Sequence, residues 1–85
     1  MRIDIKGDII RNDDKWLYDL LELEGTSPAD VTVKLAQAAV DEVVDVFINS
    51  GGGDVFAGSE IYAALRAHEG PVHIHVVGLA ASAAS

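Results

Sequence analysis

The 85-residue sequence contains no cysteine, only two prolines and only six basic residues. Without cysteine, the chain has no disulfide, no thiolate metal ligand and no cysteine nucleophile, which fits a reducing compartment. No apolar run approaches the roughly 18 residues that a membrane-spanning helix needs, and residues 1–4 do not have the character of a signal peptide. We therefore expect a cytoplasmic protein with no membrane partner.

Basic residues are outnumbered by 14 acidic ones, which gives a formal net charge of −8. This charge repels a nucleic-acid backbone, and no basic stripe offsets it, so we expect no nucleic-acid partner. The apolar fraction of 49% is that of a globular domain. A chain of this length buries only about 60 to 65% of its unfolded surface, so we expect a single domain with a thin core that partner contacts complete.

The first part of the sequence predicts a strand and a helix. Polar and apolar residues alternate over residues 2–6, which indicates a half-buried edge or outer strand of the sheet, and Gly7 is expected to end it in a turn. Asn12 is placed to cap a helix over residues 13–24. The apolar residues of this helix predict a wide buried face: Trp16, Leu17, Leu20, Leu21 and Leu23.

The second part predicts a strand–helix–strand unit. Ser27 and Pro28 first favour the start of another helix. The branched apolar run 43–48 is typical of a parallel strand covered by helices on both faces, and residues 72–77 predict its neighbour. A helix follows the predicted glycine turn Gly51–Gly53, with an inner face of Ala57, Gly58, Ile61, Ala64 and Leu65. The ligand site of such a unit lies at the C-terminal ends of its strands.

Two segments at those strand ends carry the chemical signal. Three glycines before a helix let backbone N–H groups face a developing negative charge, and Ser82 follows the next strand as a candidate nucleophile. No Lys-Ser or Lys-Thr pair follows the glycines, and their spacing is not that of a dinucleotide-binding loop. We therefore expect no nucleotide and no other cofactor. Asp54 is expected to cap the helix, and Ser50 to bond local backbone.

The segments Ile48–Gly58 and Gly78–Ser85 resemble the Clp protease proteolytic subunit family, whose members carry Asn-Ser-Pro-Gly-Gly before a helix and Ala-Ala-Ser after the next strand. The resemblance implies a crotonase-like α/β fold of ββα units, with a mostly parallel sheet flanked by helices. It also implies a serine endopeptidase that acts on polypeptides and assembles as a homo-oligomer. Ser82 would be the nucleophile, and the backbone N–H groups of Gly53 and Ala83 would form the oxyanion hole.

Two details refine the resemblance. Gly51 stands where the bacterial housekeeping members usually have proline, and together with residues 54–62 it makes the chain similar to the phage-encoded head-maturation branch. The sequence also lacks the N-terminal axial loop through which housekeeping members meet their ATPase partners. We therefore do not expect dependence on an ATPase unfoldase.

The family's catalytic histidine and aspartate follow the nucleophile, whereas only Ala-Ala-Ser follows Ser82 here. The resemblance therefore implies that residues 1–85 are the truncated N-terminal portion of one Clp-protease-like domain, inactive alone. His68, His73 and His75 all precede Ser82. His73 and His75 share a strand face, but with no third ligand in view we expect no metal site.

Three alternatives stay open on the sequence alone. The signal-peptide peptidase family has a similar glycine turn and serine but uses a lysine base, and Lys6, Lys15 and Lys34 lie far upstream. Crotonase-like acyl-CoA enzymes share the ββα unit without a serine nucleophile, and this acidic chain offers little to bind their nucleotide phosphates. The third alternative is a non-catalytic assembly module.

Overall fold

The computed structural model describes residues 1–77, so that Ser82 and Ala83 lie outside the described residues. Within these residues, four parallel strands form one sheet in the spatial order β2-β1-β3-β4: β1 (Arg2–Ile9), β2 (Gly25–Thr26), β3 (Val44–Gly53) and β4 (Val72–Val76). A 3₁₀ turn, Asn12–Asp14, precedes the first of the three α-helices in the described part of the chain: α1 (Lys15–Leu20), α2 (Pro28–Leu35) and α3 (Val55–Ala67). The predicted α/β class with a parallel sheet is confirmed.

The core lies between one face of the sheet and helices α2 and α3. Its buried side chains come from both layers: Ile3, Ile5, Ile9, Val31, Val44, Val46, Ile48, Ala57, Ile61 and Leu65. The expectation that β3 is covered on both faces was wrong for the described part of the chain, because burial alternates along the strand. Phe47, on the other face, is covered by side chains instead of a helix. The Arg2 guanidinium lies 3.9 Å from its ring centroid, and the His75 ring stacks on it at 4.6 Å.

Strand β1 is longer than its alternation predicts. Gly7 does not end it in a turn, because the strand continues through this glycine, at φ +66°, to Ile9. One residue, Gly7, lies opposite two residues of β3, Ser50 and Gly51, so the register shift is a bulge in β3. The expected edge position was also wrong, because the strand order places β2 outside β1. However, β2 pairs with β1 only at Asp8 and Ile9, which leaves most of β1 with β3 as its partner.

The helix predicted over residues 13–24 is much shorter, since α1 ends at Leu20. Asn12 does not cap it, because its side-chain oxygen accepts the backbone N–H of Ala29 at 2.8 Å. The buried face expected for this helix was also wrong, and its apolar side chains are largely exposed: Trp16, Leu17, Leu20, Leu21 and Leu23. Periodicity identified the apolar side of the helix but not the direction in which that side faces.

Helix α2 begins as the sequence predicts. Pro28 occupies the first turn, the Ser27 hydroxyl accepts the N–H of Asp30 at 3.4 Å, and the Asp30 carboxylate accepts the N–H of Ser27 at 3.0 Å. This reciprocal capping box satisfies two backbone donors that the helix would otherwise leave free. None of the helices within residues 1–77 combines the length and the apolar character that crossing a bilayer requires.

Candidate active site at the glycine strand end

The glycine triplet belongs to strand β3 and does not form the predicted turn. Gly53 is the last strand residue and pairs with Ile9 of β1, and the backbone N–H of Asp54 donates to the Ile9 carbonyl at 2.8 Å. Gly52 and Gly53 adopt φ +110° and φ +151°, angles that residues with a Cβ atom rarely adopt. The chain leaves the sheet only at Asp54, at the C-terminal ends of β1 and β3.

At Gly53 the packing requires that the side chain be missing. A Cβ atom at Gly53 would overlap the carbonyl oxygen of Ile9 and lie 2.7 Å from the Ile9 nitrogen. A Cβ atom at Gly51 would meet no heavy atom within 4 Å. The close approach of two strand ends, and not a tight corner, therefore explains the glycine at position 53.

Ser50 lies in the bulge of β3 and ties this strand end to Gly7 of β1. Its side chain is buried, and its hydroxyl donates to the carbonyl of Gly7 while accepting the N–H of Gly52 at 3.1 Å. The prediction that Ser50 bonds local backbone is confirmed. Because these two contacts use its hydroxyl, Ser50 is structural, and the N–H of Gly52 is not free for a ligand.

Asp54 caps helix α3, as predicted, and its second carboxylate oxygen has a partner that the sequence does not reveal. Oδ1 accepts the N–H of Ala57 at 2.8 Å, and Oδ2 accepts Nε–H of Arg11 at 2.8 Å. The hydrogen bond from Ala57, together with the one from Arg11, holds the pKa of Asp54 below its ordinary value of 3.8. Both oxygens are engaged, which supports a structural role for Asp54.

The lowered pKa of Asp54 predicts a specific pH dependence of stability. Because the folded-state pKa lies below the unfolded value, the stabilising contribution is present above that unfolded value and disappears as the pH falls through the folded-state pKa. We expect Asp54→Asn to unfold at lower urea concentration than wild type at pH 7, and the difference to shrink toward zero in strongly acidic solution. Circular dichroism during urea titration at several pH values measures this.

A matched control for that experiment is Asp41→Asn. Asp41 is exposed, and its carboxylate has no hydrogen-bond partner among residues 1–77. Its substitution should leave the urea midpoint unchanged across the same pH range. A constant difference between Asp54→Asn and wild type at every pH would show that the carboxylate charge has no role.

The glycine strand end forms one wall of an open cleft of about 500 Å³. The cleft is also lined by Asp14 and Tyr18, and by Asp8 and Ile10 at and just after the end of β1. The Tyr18 hydroxyl donates to the Asp8 carboxylate at 2.8 Å, which raises the pKa of Tyr18. The cleft is therefore acidic, and its glycine wall offers backbone where another chain can approach closely.

The three histidines lie away from this cleft. His68, just after α3, contacts the carbonyl of Glu42 through Nε2 at 2.7 Å. His75 lies on the sheet face opposite the helices, where its Nε2 is 3.0 Å from Asp45 Oδ1 and lowers the pKa of Asp45. His73 shares that face, opposite Asp45 in register. Within residues 1–77, no group of three or more His, Cys, Asp or Glu side chains is arranged to hold a metal ion.

The structure thus positions one of the three predicted site residues. Gly53 lies at the C-terminal end of β3, on the wall of the cleft, whereas the predicted nucleophile Ser82 and second oxyanion donor Ala83 fall outside the described residues. Two contacts that shape the site, Arg11 with Asp54 and Tyr18 with Asp8, were missed by the sequence analysis. No local pattern signals them, because each joins residues of different elements.

A parallel α/β sheet with a glycine-rich strand end before a helix is the setting of many active sites, so the fold and the site define a class rather than a single activity. The comparison with family models narrows this class to one family. The family described as Clp protease matches residues 23–85, about three quarters of the chain. The chain belongs to the Clp protease family, a family of peptidases. No solved structure gives a significant match to it.

Proposed function

We propose that this chain carries the nucleophile and the oxyanion hole of a serine endopeptidase. One observation carries the proposal: the family match over residues 23–85 includes a strand end whose last residue, Gly53, must be glycine and borders an open cleft. A backbone held this close to its neighbouring strand is preorganised, so its N–H groups need little reorientation when charge develops.

The N–H of Gly53 is the donor that the strand geometry supports best. Successive N–H groups along an extended strand point to opposite sides, and the N–H of Asp54 is directed at Ile9 of β1. The N–H of Gly53 is therefore expected to point away from β1, toward the side on which β4 lies. We propose the N–H of Ala83 as the second donor, because it follows the nucleophile directly in sequence.

The proposed reaction is acyl transfer in two steps. The Ser82 hydroxyl attacks the peptide carbonyl carbon while a general base accepts its proton, and the two N–H groups stabilise the oxyanion. The C–N bond then breaks as the base returns the proton to the leaving amine. Water, activated by the same base, hydrolyses the acyl-enzyme and regenerates Ser82.

We propose that the general base and its orienting carboxylate are supplied from outside residues 1–85. The positions of the histidines support this, because His75 lies opposite Phe47 in register and His68 contacts the carbonyl of Glu42. Phe47 is six residues before Gly53, which corresponds to about 20 Å along a strand. Of the lysines considered for the signal-peptide peptidase alternative, Lys15 is not a free base, since its ammonium group is bound to the carbonyl of Gly25.

We also propose a biological setting. Residues 54–62, with Gly51, favour the phage head-maturation branch, whose polypeptide substrates would be cleaved in the cytoplasm of the host. In this setting no ATPase unfoldase is required. To test this setting, purified prohead protein and a generic unfolded protein are each offered as substrate without ATP, and their cleavage is compared.

The experiment that tests the proposed activity is covalent labelling with a fluorophosphonate, followed by peptide mapping. A form extended beyond Ser85 by sequence carrying a histidine and an aspartate should be labelled on Ser82. Ser82→Ala should abolish the label, and Ser85→Ala, a serine of the same small-residue segment, should retain it. A label on another residue contradicts the assignment of Ser82, and the absence of any label favours the non-catalytic assembly module.

We expect the chain to self-associate through the open edge of β4. Within the described part of the chain no strand pairs with that edge, and Ile74 and Val76 are 51% and 55% exposed. Sedimentation at tens of micromolar should show dimers or larger species, and Ile74→Lys should shift them toward monomer. Val33→Lys, at a similarly exposed apolar position on α2, should have no such effect. A clean wild-type monomer would count against this expectation.

A further inference from the structure

Helix α1 turns a polar side toward the protein and an apolar side toward solvent. Lys15 donates to the carbonyl of Gly25 at 2.9 Å and pairs with Asp30 at 3.2 Å. Tyr18 donates to the Asp8 carboxylate at 2.8 Å. These contacts fix the rotation of the helix about its axis. Side chains on the opposite side of α1 therefore point outward because of specific anchors, and the outward orientation is a property of the fold.

The outward side and the turn that follows it form an apolar surface, which we call the α1 patch. Its members are between 38% and 69% exposed: Trp16, Leu17, Leu20, Leu21 and Leu23. The elements that pack closely on α1 within residues 1–77 are the preceding 3₁₀ turn and β2. Five large neighbouring apolar side chains in contact with water are typical of an interaction surface.

The charge around the patch is predominantly negative. Five exposed carboxylates lie in the same segment: Asp13, Asp14, Asp19, Glu22 and Glu24. Lys15 is the one cation between residues 13 and 24, and it is already engaged with Gly25 and Asp30. An occupant must therefore bring apolar side chains to cover the leucines and cations to meet the carboxylates.

This requirement separates the candidate occupants. A second copy of the chain would bring the same acidic rim against itself, since a two-fold interface joins identical surfaces. An anionic membrane or a nucleic acid would be repelled. A helical polypeptide segment with leucine-like residues on one face and lysine or arginine beside them satisfies both requirements, and helix-on-helix packing suits the short exposed α1.

We propose that the α1 patch is the docking surface for a basic amphipathic helix of another polypeptide. Asp14 and Tyr18 of the same segment line the cleft beside the glycine strand end. A polypeptide docked on the patch is thereby held next to the cleft. Docking requires no chemistry at Ser82, so it can be tested whether or not the chain is a peptidase.

Trp16 is the only tryptophan of the chain and lies within the patch, so its fluorescence reports occupancy directly. The probe is a synthetic helix of leucine and lysine with leucines at i, i+3, i+4 and i+7. We expect a saturable blue shift of Trp16 emission, with an affinity that falls about tenfold between low and high salt. A peptide with glutamate in place of lysine, and a scrambled peptide of the same composition, should produce no shift.

Variants locate the binding on the protein. Leu20→Ser should weaken binding by about tenfold or more, while Val33→Ser, an equally exposed apolar position on α2, should leave it unchanged. Substituting Asp19, Glu22 and Glu24 by their amides should weaken binding and remove most of its salt dependence. Circular dichroism checks that each variant keeps the fold, since none of these side chains is buried.

Three results would overturn the proposal. If the lysine and glutamate peptides bound equally well, or if neither peptide bound, the charge argument would fail. Equal effects of Leu20→Ser and Val33→Ser would place binding elsewhere. A second copy would be identified as the occupant if the blue shift grew with protein concentration in the absence of peptide. Leu20→Ser would then abolish both this shift and the dimers seen in sedimentation.

Discussion

Alanine at position 82 is expected to lower the hydrolysis of a short fluorogenic peptide by at least about a thousandfold, because removing a serine nucleophile leaves only binding and the oxyanion hole. The measurement is kcat/KM of the extended form described above, with and without Ser82→Ala. The loss should lie mainly in kcat, since Ser82 acts on the reacting carbonyl and contributes little to peptide binding.

Two comparisons make this result specific. Ser85→Ala should retain activity, because Ser85 has no assigned role. The unextended 85-residue chain should show only residual turnover, since a positioned general base contributes about 10²- to 10⁴-fold. Robust Ser82-dependent turnover by the 85-residue chain would mean that one of its own residues acts as the base, and the assignment of the base to sequence outside residues 1–85 would be wrong.

Gly53→Ala is the second substitution with a large expected effect. It is expected to destabilise the fold by about 1–3 kcal/mol, because alanine rarely adopts φ +151° and its Cβ would collide with the Ile9 backbone. Peptidase activity should be lost as well, since relieving the collision must displace the proposed oxyanion donor. Urea unfolding followed by circular dichroism measures the first effect, and peptide hydrolysis measures the second.

Gly51→Ala is the matched control within the same triplet. Gly51 does not have a positive φ, and an added Cβ has open space around it, so its substitution should change stability by less than about 0.5 kcal/mol. If Gly53→Ala were as stable and as active as Gly51→Ala, the close approach of β1 and β3 would have no role in the site.

The local features of this fold could be predicted because their determinants are near in sequence. The caps provided by Ser27 and Asp54 each act on a residue three positions away, and the βαβ unit follows from the periodicity of residues 44–76. Such interactions survive in any tertiary arrangement that keeps the helix. The same reasoning assigned the inner face of α3 correctly, with Ala57, Ile61 and Leu65 buried.

The misassigned features depend on distant partners. A glycine at positive φ suits a turn and a strand end equally, and only the pairing of Gly53 with Ile9 decides between them. The bulge in β3 opposite Gly7 likewise depends on how β1 pairs with β3. For α1, the apolar side was identified correctly, but its orientation follows from the contacts of Lys15 and Tyr18 with residues about ten positions away.

The distance between the backbone nitrogen of Gly53 and the reacting centre at Ser82 tests the central claim most directly. In a crystal structure of the phosphonylated extended form, we expect Gly53 N to lie about 2.7–3.1 Å from the phosphonyl oxygen on Ser82, and Ala83 N to bind the same oxygen. In the unmodified protein, Gly53 N and Ser82 Oγ should lie within about 8 Å. A greater separation, or a phosphonyl oxygen bound by other donors, would contradict the proposed oxyanion hole of Gly53 and Ala83.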